Sequence, residues 1–275
     1  MLVTVTGAWA GQSGNDADKY YDDMDWASGN EAPSAAIVVG NRNGTYYADA
    51  DVTIENSKIT SESETLSAIY VDATTESQSG HDKKYVSNVS ITGSGTVVDG
   101  NVTSNAGTDK VIEIEVTGGS FTDNNVNNYV PEGMELNEEG NVVVSDDAVA
   151  VIGEIGYASL AAAIDDANPG DTIELVNDCT VTEPVTLPDN VIINGNGNTI
   201  TYNSTTAGGT AILAGSGSVI NNMTIDAGNA SHAVQFYQKT GGELNNVTIN
   251  GGTGTCVMVN GSTGIEIRNC TLNPS

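Results

Sequence analysis

Basic residues are scarce in this sequence of 275 residues. Eight lysines and arginines stand against 36 aspartates and glutamates, so the formal net charge is −28 at pH 7. Phosphate backbones and anionic lipid surfaces repel a chain of this charge. We therefore expect no nucleic-acid partner. The charge is compatible with high solubility, with a salty environment, and with Ca²⁺ or cationic partners.

Aromatic residues, long apolar runs and cysteines are also few. Phe, Trp and Tyr make up 5% of the chain, which favours narrow layers of Val, Ile, Thr and Ala over a large globular core. No run of 18 apolar residues occurs, so we predict no membrane span. The cysteines Cys179, Cys256 and Cys270 have neither metal-ligand spacing nor a disulfide framework, and we interpret the last two as small buried hydrophobes.

One six-residue pattern is abundant. It consists of an apolar residue, any residue, Asn, any residue, usually Ser or Thr, and an apolar residue. The pattern is centred on Asn56, Asn88, Asn222, Asn246 and Asn269. The last three asparagines are 24 and 23 residues apart, and a constant period of this size is typical of a solenoid.

The apolar positions of this pattern change phase at the asparagine. Residues i, i+2 and i+4 share one face of a straight strand, but Leu244, Val247 and Ile249 occupy positions i, i+3 and i+5. A corner at the Asn would turn all three inward. Asn suits such a corner because it tolerates the left-handed backbone conformation, and we expect Gly118 to act similarly.

A second apolar segment lies between these corners. It recurs at Ala36–Val39, Ala68–Val71, Ala211–Ala214, Ala233–Phe236 and Cys256–Val259. Parallel stacking of equivalent strands would align like residues in ladders, and parallel crossovers are right-handed. The sequence therefore predicts an all-β fold, a right-handed parallel β-helix. An asparagine ladder at one corner would form hydrogen bonds from side chain to backbone.

Two β-helical domains are expected, residues 1–147 and 148–275. The first carries polar loop insertions, and its Glu138–Asn141 stretch predicts a terminal hairpin. The second begins with one short α-helix, around residues 158–167, which would cap its first coil. Both ends of the chain resemble cuts through a longer solenoid, so we expect neighbouring β-helical repeats of the same long chain beyond them.

An acidic loop is the best candidate for a binding site. It contains Asp16, Asp18, Asp22, Asp23 and Asp25, together with Tyr20, Tyr21 and Trp26. Clustered carboxylates bind Ca²⁺, although the order of residues is not that of an EF-hand, and a solvated acidic loop is the alternative. A second polar insert, residues 72–85, is interpreted as a surface loop. We assign no catalytic, cofactor-binding or metal-binding residue.

Several motifs in the second half carry a resemblance. They are Ala150–Gly153, the helix with Tyr157, Ser159, Leu160, Ala163 and Ile164, Pro169–Leu175 and Val191–Gly197. Together they resemble a module of large surface proteins of gut and other anaerobic bacteria. The Gly118–Phe121 and Val130–Gly133 stretches resemble the ends of such solenoids. The resemblance implies an extracellular or cell-surface location. It indicates little about the ligand. We expect a structural or adhesive role, in which inserted loops contact a glycan or a host or matrix protein.

The wider pectate-lyase-like superfamily also contains polysaccharide lyases and hydrolases, so an enzyme is the alternative function. Such lyases combine Ca²⁺-binding carboxylates with a basic residue, and the hydrolases pair aspartates with His and Arg or Lys. Here Arg42 and Arg268 have no acidic neighbours at the spacing of an outward strand pair. His81 and His232 do not sit beside paired acids. We therefore expect no polysaccharide cleavage.

A row of threonines admits one further interpretation. Thr224, Thr248 and Thr271 align on the outward face, as in β-helices that bind ice. Ser90 and Lys58 take the corresponding place in the first half. A single Thr row is too narrow for a flat ice lattice, and it also fits the ordinary strand preference of threonine.

Overall fold

The structure of the chain is a computed structural model. It describes residues 35–40, 49–61, 67–73, 85–105, 107 and 110–275, with the backbone of residues 2–6, 9–11, 42–43 and 46–47. Most described residues lie in strands, and two short helices interrupt them, so the predicted all-β class is confirmed. Two compact units are formed, residues 1–131 with 135–143 and residues 132–134 with 144–275.

The strands as far as residue 144 are short. They are β1 (Leu2–Thr6), β2 (Trp9–Gly11), β3 (Ala35–Gly40), β4 (Arg42–Asn43), β5 (Tyr46–Tyr47), β6 (Ala50–Glu55), β7 (Lys58–Thr60), β8 (Ser67–Val71), β9 (Val86–Thr92), β10 (Val97–Asp99), β11 (Asn101–Ser104), β12 (Val111–Val116), β13 (Ser120–Phe121), β14 (Met134–Leu136) and β15 (Val142–Val144). A 3₁₀-helix, Asn124–Tyr129, follows β13. The sequence pattern does not predict this helix, whose N-cap is the side chain of Asp123.

Parallel pairing dominates the first unit. Strands β6, β9 and β12 pair side by side, as do β3, β8 and β11, and β7, β10 and β13. Like residues meet in these sheets, since Ile54 pairs with Ile91 and Ile91 with Val116. The first two strands run the other way, with β1 antiparallel to β6 and β2 antiparallel to β3.

The predicted hairpin turn is present near the end of this unit. The amide of Asn137 donates to the carbonyl of Asn141, and the amide of Gly140 donates to the carbonyl of Asn137. Strands β14 and β15, on either side of the turn, form a two-stranded sheet. The turn also touches β13, because the amide of Phe121 donates to the carbonyl of Gly140.

The remaining strands lie after residue 144. They are β16 (Ala150–Ile152), β17 (Ile155–Tyr157), β18 (Thr172–Leu175), β19 (Cys179–Val181), β20 (Val185–Thr186), β21 (Ile192–Asn194), β22 (Thr199–Tyr202), β23 (Thr210–Leu213), β24 (Val219–Asp226), β25 (His232–Tyr237), β26 (Thr240–Asn250), β27 (Thr255–Asn260), β28 (Thr263–Arg268) and β29 (Thr271–Asn273). The helix α1 (Leu160–Asp166) lies between β17 and β18.

Two parallel sheets build the second unit around one core. The larger contains β18, β21, β24, β26 and β28, continued by β19, β22 and β29, and the smaller contains β20, β23, β25 and β27. Strand β24 pairs with β26 through Ile220↔Leu244 and Ile225↔Ile249, and all four residues are fully buried. One edge of the larger sheet is β17, and β16 lies between β17 and β18 and is antiparallel to both.

Four of the predicted corner asparagines have the expected backbone. The φ angles of Asn56, Asn222, Asn246 and Asn269 are 46°, 53°, 56° and 52°, which is the left-handed region. Strands β24 and β26 continue through Asn222 and Asn246. The chain bends there, since Leu244, Val247 and Ile249 are all buried despite their change of phase. The corner prediction is confirmed at these positions.

The prediction at Asn88 is wrong. Asn88 lies within the straight strand β9, where Ser87, Val89 and Ile91 are buried in regular alternation, and it pairs with Asp51 and Glu113. Because Ile54 pairs with Ile91, the bend of this strand comes later, at Gly93, whose φ is 80°. This corner contains Gly93–Thr96 and is two residues longer than the corner at Asn56, so a fixed six-residue pattern does not detect it.

The prediction at Gly118 also needs correction. The positive φ, 111°, belongs to Gly119. Gly118 is required for a different reason, because a Cβ atom there would lie 2.8 Å from the backbone nitrogen of Gly93. Glycine at this position permits close approach of two segments of backbone.

The helix α1 covers apolar residues at the start of the second unit. Leu160 and Ala163 are buried in the core, and Ser159 caps the helix by accepting a hydrogen bond from the amide of Ala162. The helix is shorter than the predicted range of 158–167, because Ala158 and Ser159 precede the first turn and Ala167 is already extended. Cys256 is buried as expected, and Cys270 is partly buried against the same core.

Candidate functional site

A ladder of amide side chains runs along the outside of the larger sheet in the second unit. Nδ2 of Asn246 donates to Oδ1 of Asn222 over 2.9 Å, and Nδ2 of Asn222 donates to Oδ1 of Asn194 over 3.0 Å. Nδ2 of Asn194 donates to Oε2 of Glu174 over 2.7 Å. All donors point the same way, and the ladder ends on a carboxylate. This chain of hydrogen bonds fixes the outer surface of the bend.

A second ladder has the same direction. Nδ2 of Asn273 donates to Oδ1 of Asn250 over 2.9 Å, and Nδ2 of Asn250 donates to Oδ1 of Asp226 over 2.8 Å. It too ends on an acid. A carboxylate is well suited to this end, since it accepts hydrogen bonds and donates none when ionised.

The ladders differ from the expected ones in their bonding. We predicted bonds from side chain to backbone, whereas most rungs join side chain to side chain. A backbone acceptor is used beside the Glu174 end of the first ladder, where Nδ2 of Asn196 and Nδ2 of Asn198 both donate to the carbonyl of Leu175. Asn269 does not continue the first ladder, because its Nδ2 donates to Oδ1 of Asn245 and not to Asn246.

The threonine row of the second unit contains four residues. Thr199, Thr224, Thr248 and Thr271 pair in sequence across four strands. The adjacent row contains Thr201, Asp226, Asn250 and Asn273. Charged and amide groups in that second row do not form the regular hydroxyl lattice of an ice-binding face. Ser90 does not belong to the Thr row at all, because it pairs with Thr53 and Glu115.

A buried ion pair lies in the first unit. Its acid, Asp72, belongs to the insert 72–85 that was interpreted as a surface loop, and this interpretation is wrong for Asp72 and Ala73, which are both buried. Oδ1 of Asp72 accepts from Nζ of Lys110 over 2.7 Å and from the amide of Ala73 over 2.7 Å, and the Asp72 side chain is fully buried. Oδ2 accepts from Nδ2 of Asn105 over 3.3 Å. Burial raises the pKa of Asp72, and the hydrogen bond and charge of Lys110 oppose this rise.

A sequence signal for this pair existed. Asp72 directly follows the apolar strand Ser67–Val71. Its carboxylate therefore lies at the edge of a buried layer, where it is either buried with that layer or exposed to water. Its amide donates to the carbonyl of Val39, and its own carbonyl accepts from Oγ of Ser87 over 2.6 Å. Because its contacts tie several segments of the unit together, we assign Asp72 a structural role rather than a catalytic one.

An acidic surface cleft of about 630 Å³ is the best candidate for ligand binding in the first unit. Asp51, Asn88 and Glu113 occupy one row across β6, β9 and β12, and Glu115 lies in the next row. Tyr129 also lines the cleft. The row is visible only once the strands are in register, because 37 and 25 residues separate its members.

The chemistry of this cleft suits a ligand that offers hydroxyl groups. The carboxylates accept hydrogen bonds, the Asn88 amide can donate and accept, and the Tyr129 ring presents an apolar face. Within the described part of the chain, Oδ1 of Asn88 is buried without a hydrogen-bond partner. The described residues that line the cleft include neither lysine nor arginine.

Of the basic residues considered for catalysis, the structure describes the side chains of His232 and Arg268, and these two make separate contacts. Nδ1 of His232 lies 2.8 Å from Oγ1 of Thr255. Arg268 forms ion pairs with Glu266, two residues before it on β28, and, at 3.7 Å, with Glu243. The expectation that Arg268 has no acidic neighbour at the spacing of an outward strand pair is therefore wrong. These contacts hold each side chain on the surface of its own sheet.

The acidic loop Asp16–Asp25 lies outside the described residues, as do His81, most of the insert 72–85 and the side chain of Arg42. Among the residues that the structure does describe, no three His, Cys, Asp or Glu side chains are grouped so as to hold a metal ion. The Ca²⁺ site in the acidic loop therefore stays a prediction.

Neither helix in the described ranges has the length and apolar character needed to cross a bilayer. Comparisons of the chain with protein-family models, with curated proteins and with solved structures found no match.

Proposed function

We propose that each unit is a right-handed parallel β-helix. Support comes from the strand registers, in which the same residue types meet from one strand to the next, such as Ile220, Leu244 and Ile267. Further support comes from the left-handed asparagines and from the amide ladders along one edge of the bend. Stacked coils of this kind bury a continuous narrow core.

The function that we propose is structural and adhesive, without catalysis. The chain would form a stiff segment of a bacterial surface or secreted protein, and it would bind a glycan or a host or matrix protein. The setting rests on the resemblance of the motifs in Ala150–Gly197. Neighbouring β-helical repeats of the same long chain would stack against open edges such as β27 and β29.

The observation that carries the binding role is the acidic cleft of the first unit. Its row of Asp51, Asn88 and Glu113 presents acceptors and an amide at strand spacing, and Tyr129 adds an aromatic wall. Pockets that orient a ligand by a few convergent polar groups are typical binding sites. A neutral glycan is the ligand that best fits this chemistry, because its hydroxyl groups donate to carboxylates without needing a cation.

A glycan array probed with the full chain tests this proposal. We expect binding to neutral glycans that Glu113→Gln weakens, and that the matched surface substitution Glu138→Gln leaves unchanged. The array is run with Ca²⁺ and with a chelator, which also tests the acidic loop. Absence of glycan binding, or equal binding by both variants, would contradict a role for the cleft.

Turnover distinguishes adhesion from the enzyme alternative. Bound glycans and acidic polysaccharides such as polygalacturonate are incubated with the chain, and new reducing ends and unsaturated products are measured. We expect no product. Release of either product would establish a lyase or hydrolase and would overturn the non-catalytic proposal.

A further inference from the structure

A second cleft lies in the second unit, beside the helix α1. It encloses about 620 Å³, and its walls come from α1 on one side and from residues 178–186 on the other. The volume is within the range of pockets that take small molecules. Neither the Asn ladders nor the acidic cleft of the first unit contributes to it.

The floor of this cleft is apolar. Leu160 and Val185 belong to the buried core, and Val149, Cys179 and Val181 are partly buried against that core. The helix covers only part of the first layer of the core, so the remaining apolar surface faces the cleft. An alkyl chain or ring placed here would bury apolar area that water now covers.

The rim of the cleft is acidic. Asp165 on the helix and Asp178 and Glu183 on the opposite wall are all exposed at its edge. Oδ1 of Asp178 accepts a hydrogen bond of 2.7 Å from the amide of Thr199. Burial raises the pKa of the neighbouring Cys179 thiol to about 11, and the charge of Asp178 adds to this rise. The three carboxylates of the rim therefore give the cleft a negative potential above its apolar floor.

No lysine or arginine of the second unit is available to pair with these acids. Lys239 and Arg268 are its only lysine and arginine. Lys239 lies 3.5 Å from Asp189, and Arg268 is paired with Glu266, so both are engaged elsewhere. The rim is therefore complementary to a positive charge supplied from outside.

We propose that this cleft binds a small cationic amphiphile, with its apolar part on the floor at Leu160, Val181 and Val185 and its ammonium group at the carboxylates of Asp165 and Glu183. The apolar contact supplies the binding free energy, and the acidic rim selects the cation over neutral and anionic analogues. This site is independent of the glycan cleft in the first unit.

Cys179 provides a reporter inside the cleft. The full chain is alkylated with iodoacetamide at pH 8.5, and the rate at each cysteine is followed by peptide mass spectrometry. The probe is octyltrimethylammonium, with octyl glucoside and octanoate as neutral and anionic analogues of equal chain length. Concentrations are kept where alkylation of the buried Cys256 does not change, which excludes unfolding as a cause.

We expect octyltrimethylammonium to protect Cys179 with a saturable curve, and octanoate to protect at least tenfold more weakly. The substitutions Asp165→Asn and Glu183→Gln should each weaken protection about two- to fivefold, the range expected for one exposed charge. Glu154→Gln, which removes an exposed acid outside the cleft, should have no effect. Equal protection by octanoate, no protection of Cys179, or equal loss in Glu154→Gln would each overturn the proposal.

Discussion

Asn246 donates a hydrogen bond from Nδ2 to Oδ1 of Asn222 over 2.9 Å, and both residues have left-handed backbones. One residue type therefore meets two requirements at the same position. Its backbone permits the bend that turns Leu244 and Val247 toward one core, and its side chain joins neighbouring strands on the outside. Glycine could meet the first requirement but not the second.

The first prediction concerns this double role. Asn246→Leu should lower the free energy of unfolding by about 2–3 kcal/mol, because it adds left-handed strain of about 1–2 kcal/mol and removes the hydrogen bond to Asn222, worth about 1 kcal/mol. Asn246→Gly should cost only about 1 kcal/mol, since it keeps the backbone conformation. Urea denaturation measures both.

Asn203→Leu is the matched control. Asn203 is exposed and does not have a positive φ, so its substitution should change stability by less than about 0.5 kcal/mol. Equal losses at positions 203 and 246 would contradict the role of Asn246 at the bend.

The second prediction concerns the buried ion pair of the first unit. Lys110→Met leaves the carboxylate of Asp72 buried without its cation, and it should cost about 3–5 kcal/mol of stability at neutral pH. The double variant Asp72→Asn with Lys110→Met should recover part of this loss, because the uncompensated charge is gone. Lys58→Met, at an exposed lysine of β7, should be nearly neutral. Denaturant unfolding of the four proteins forms the test.

The third prediction is the pH dependence of that loss. The pKa of Asp72 is raised in the folded state, so its contribution to stability is fully present below the unfolded value of about 4 and is lost as pH rises through the folded value. Lys110→Met removes a group that lowers this pKa, so the folded pKa should rise further. The variant should therefore lose stability more steeply than the parent chain between acid and neutral pH. Parallel pH profiles for the two proteins would refute this assignment.

The fourth prediction concerns close backbone packing in the second unit. A Cβ atom at Gly195 would lie 2.2 Å from Cβ of Met223 and 2.7 Å from the carbonyl oxygen of Asn222. Gly195→Ala should therefore cost about 1–3 kcal/mol, the usual cost of overpacking. Gly107→Ala meets nothing within 4 Å and should be tolerated. Thermal unfolding of both variants gives the comparison, and similar melting temperatures would disprove the steric argument.

The corners could be predicted from sequence only where their length is constant. Between Ile220 and Ile225, and between Leu244 and Ile249, the spacing is the same, so the asparagine pattern located the bends correctly. Between Ile91 and Val98 the corner contains Gly93–Thr96 and is longer. The six-residue pattern matched Asn88 instead, because a local pattern contains no information about which residue of the neighbouring strand pairs with each position.

The binding and polar features depended on pairing across the sheet. Asp51 and Glu113 are far apart in sequence, and only the register of β6, β9 and β12 places them in one row with Asn88. Asp72 and Lys110 likewise meet through the fold. The cleft beside α1 follows from how far the helix reaches over the core, and the phase of Leu160, Ala163 and Ile164 predicts only which side is buried.

The sequence by itself determined the strand class, the direction of the alternating side chains and most of the bends, because each depends on the φ preference and polarity of a few adjacent residues. The tertiary structure alone decided which carboxylates share a cleft, which lysine neutralises Asp72, and where apolar surface stays uncovered. Those features arise from distances between segments that the chain brings together only when its strands pair.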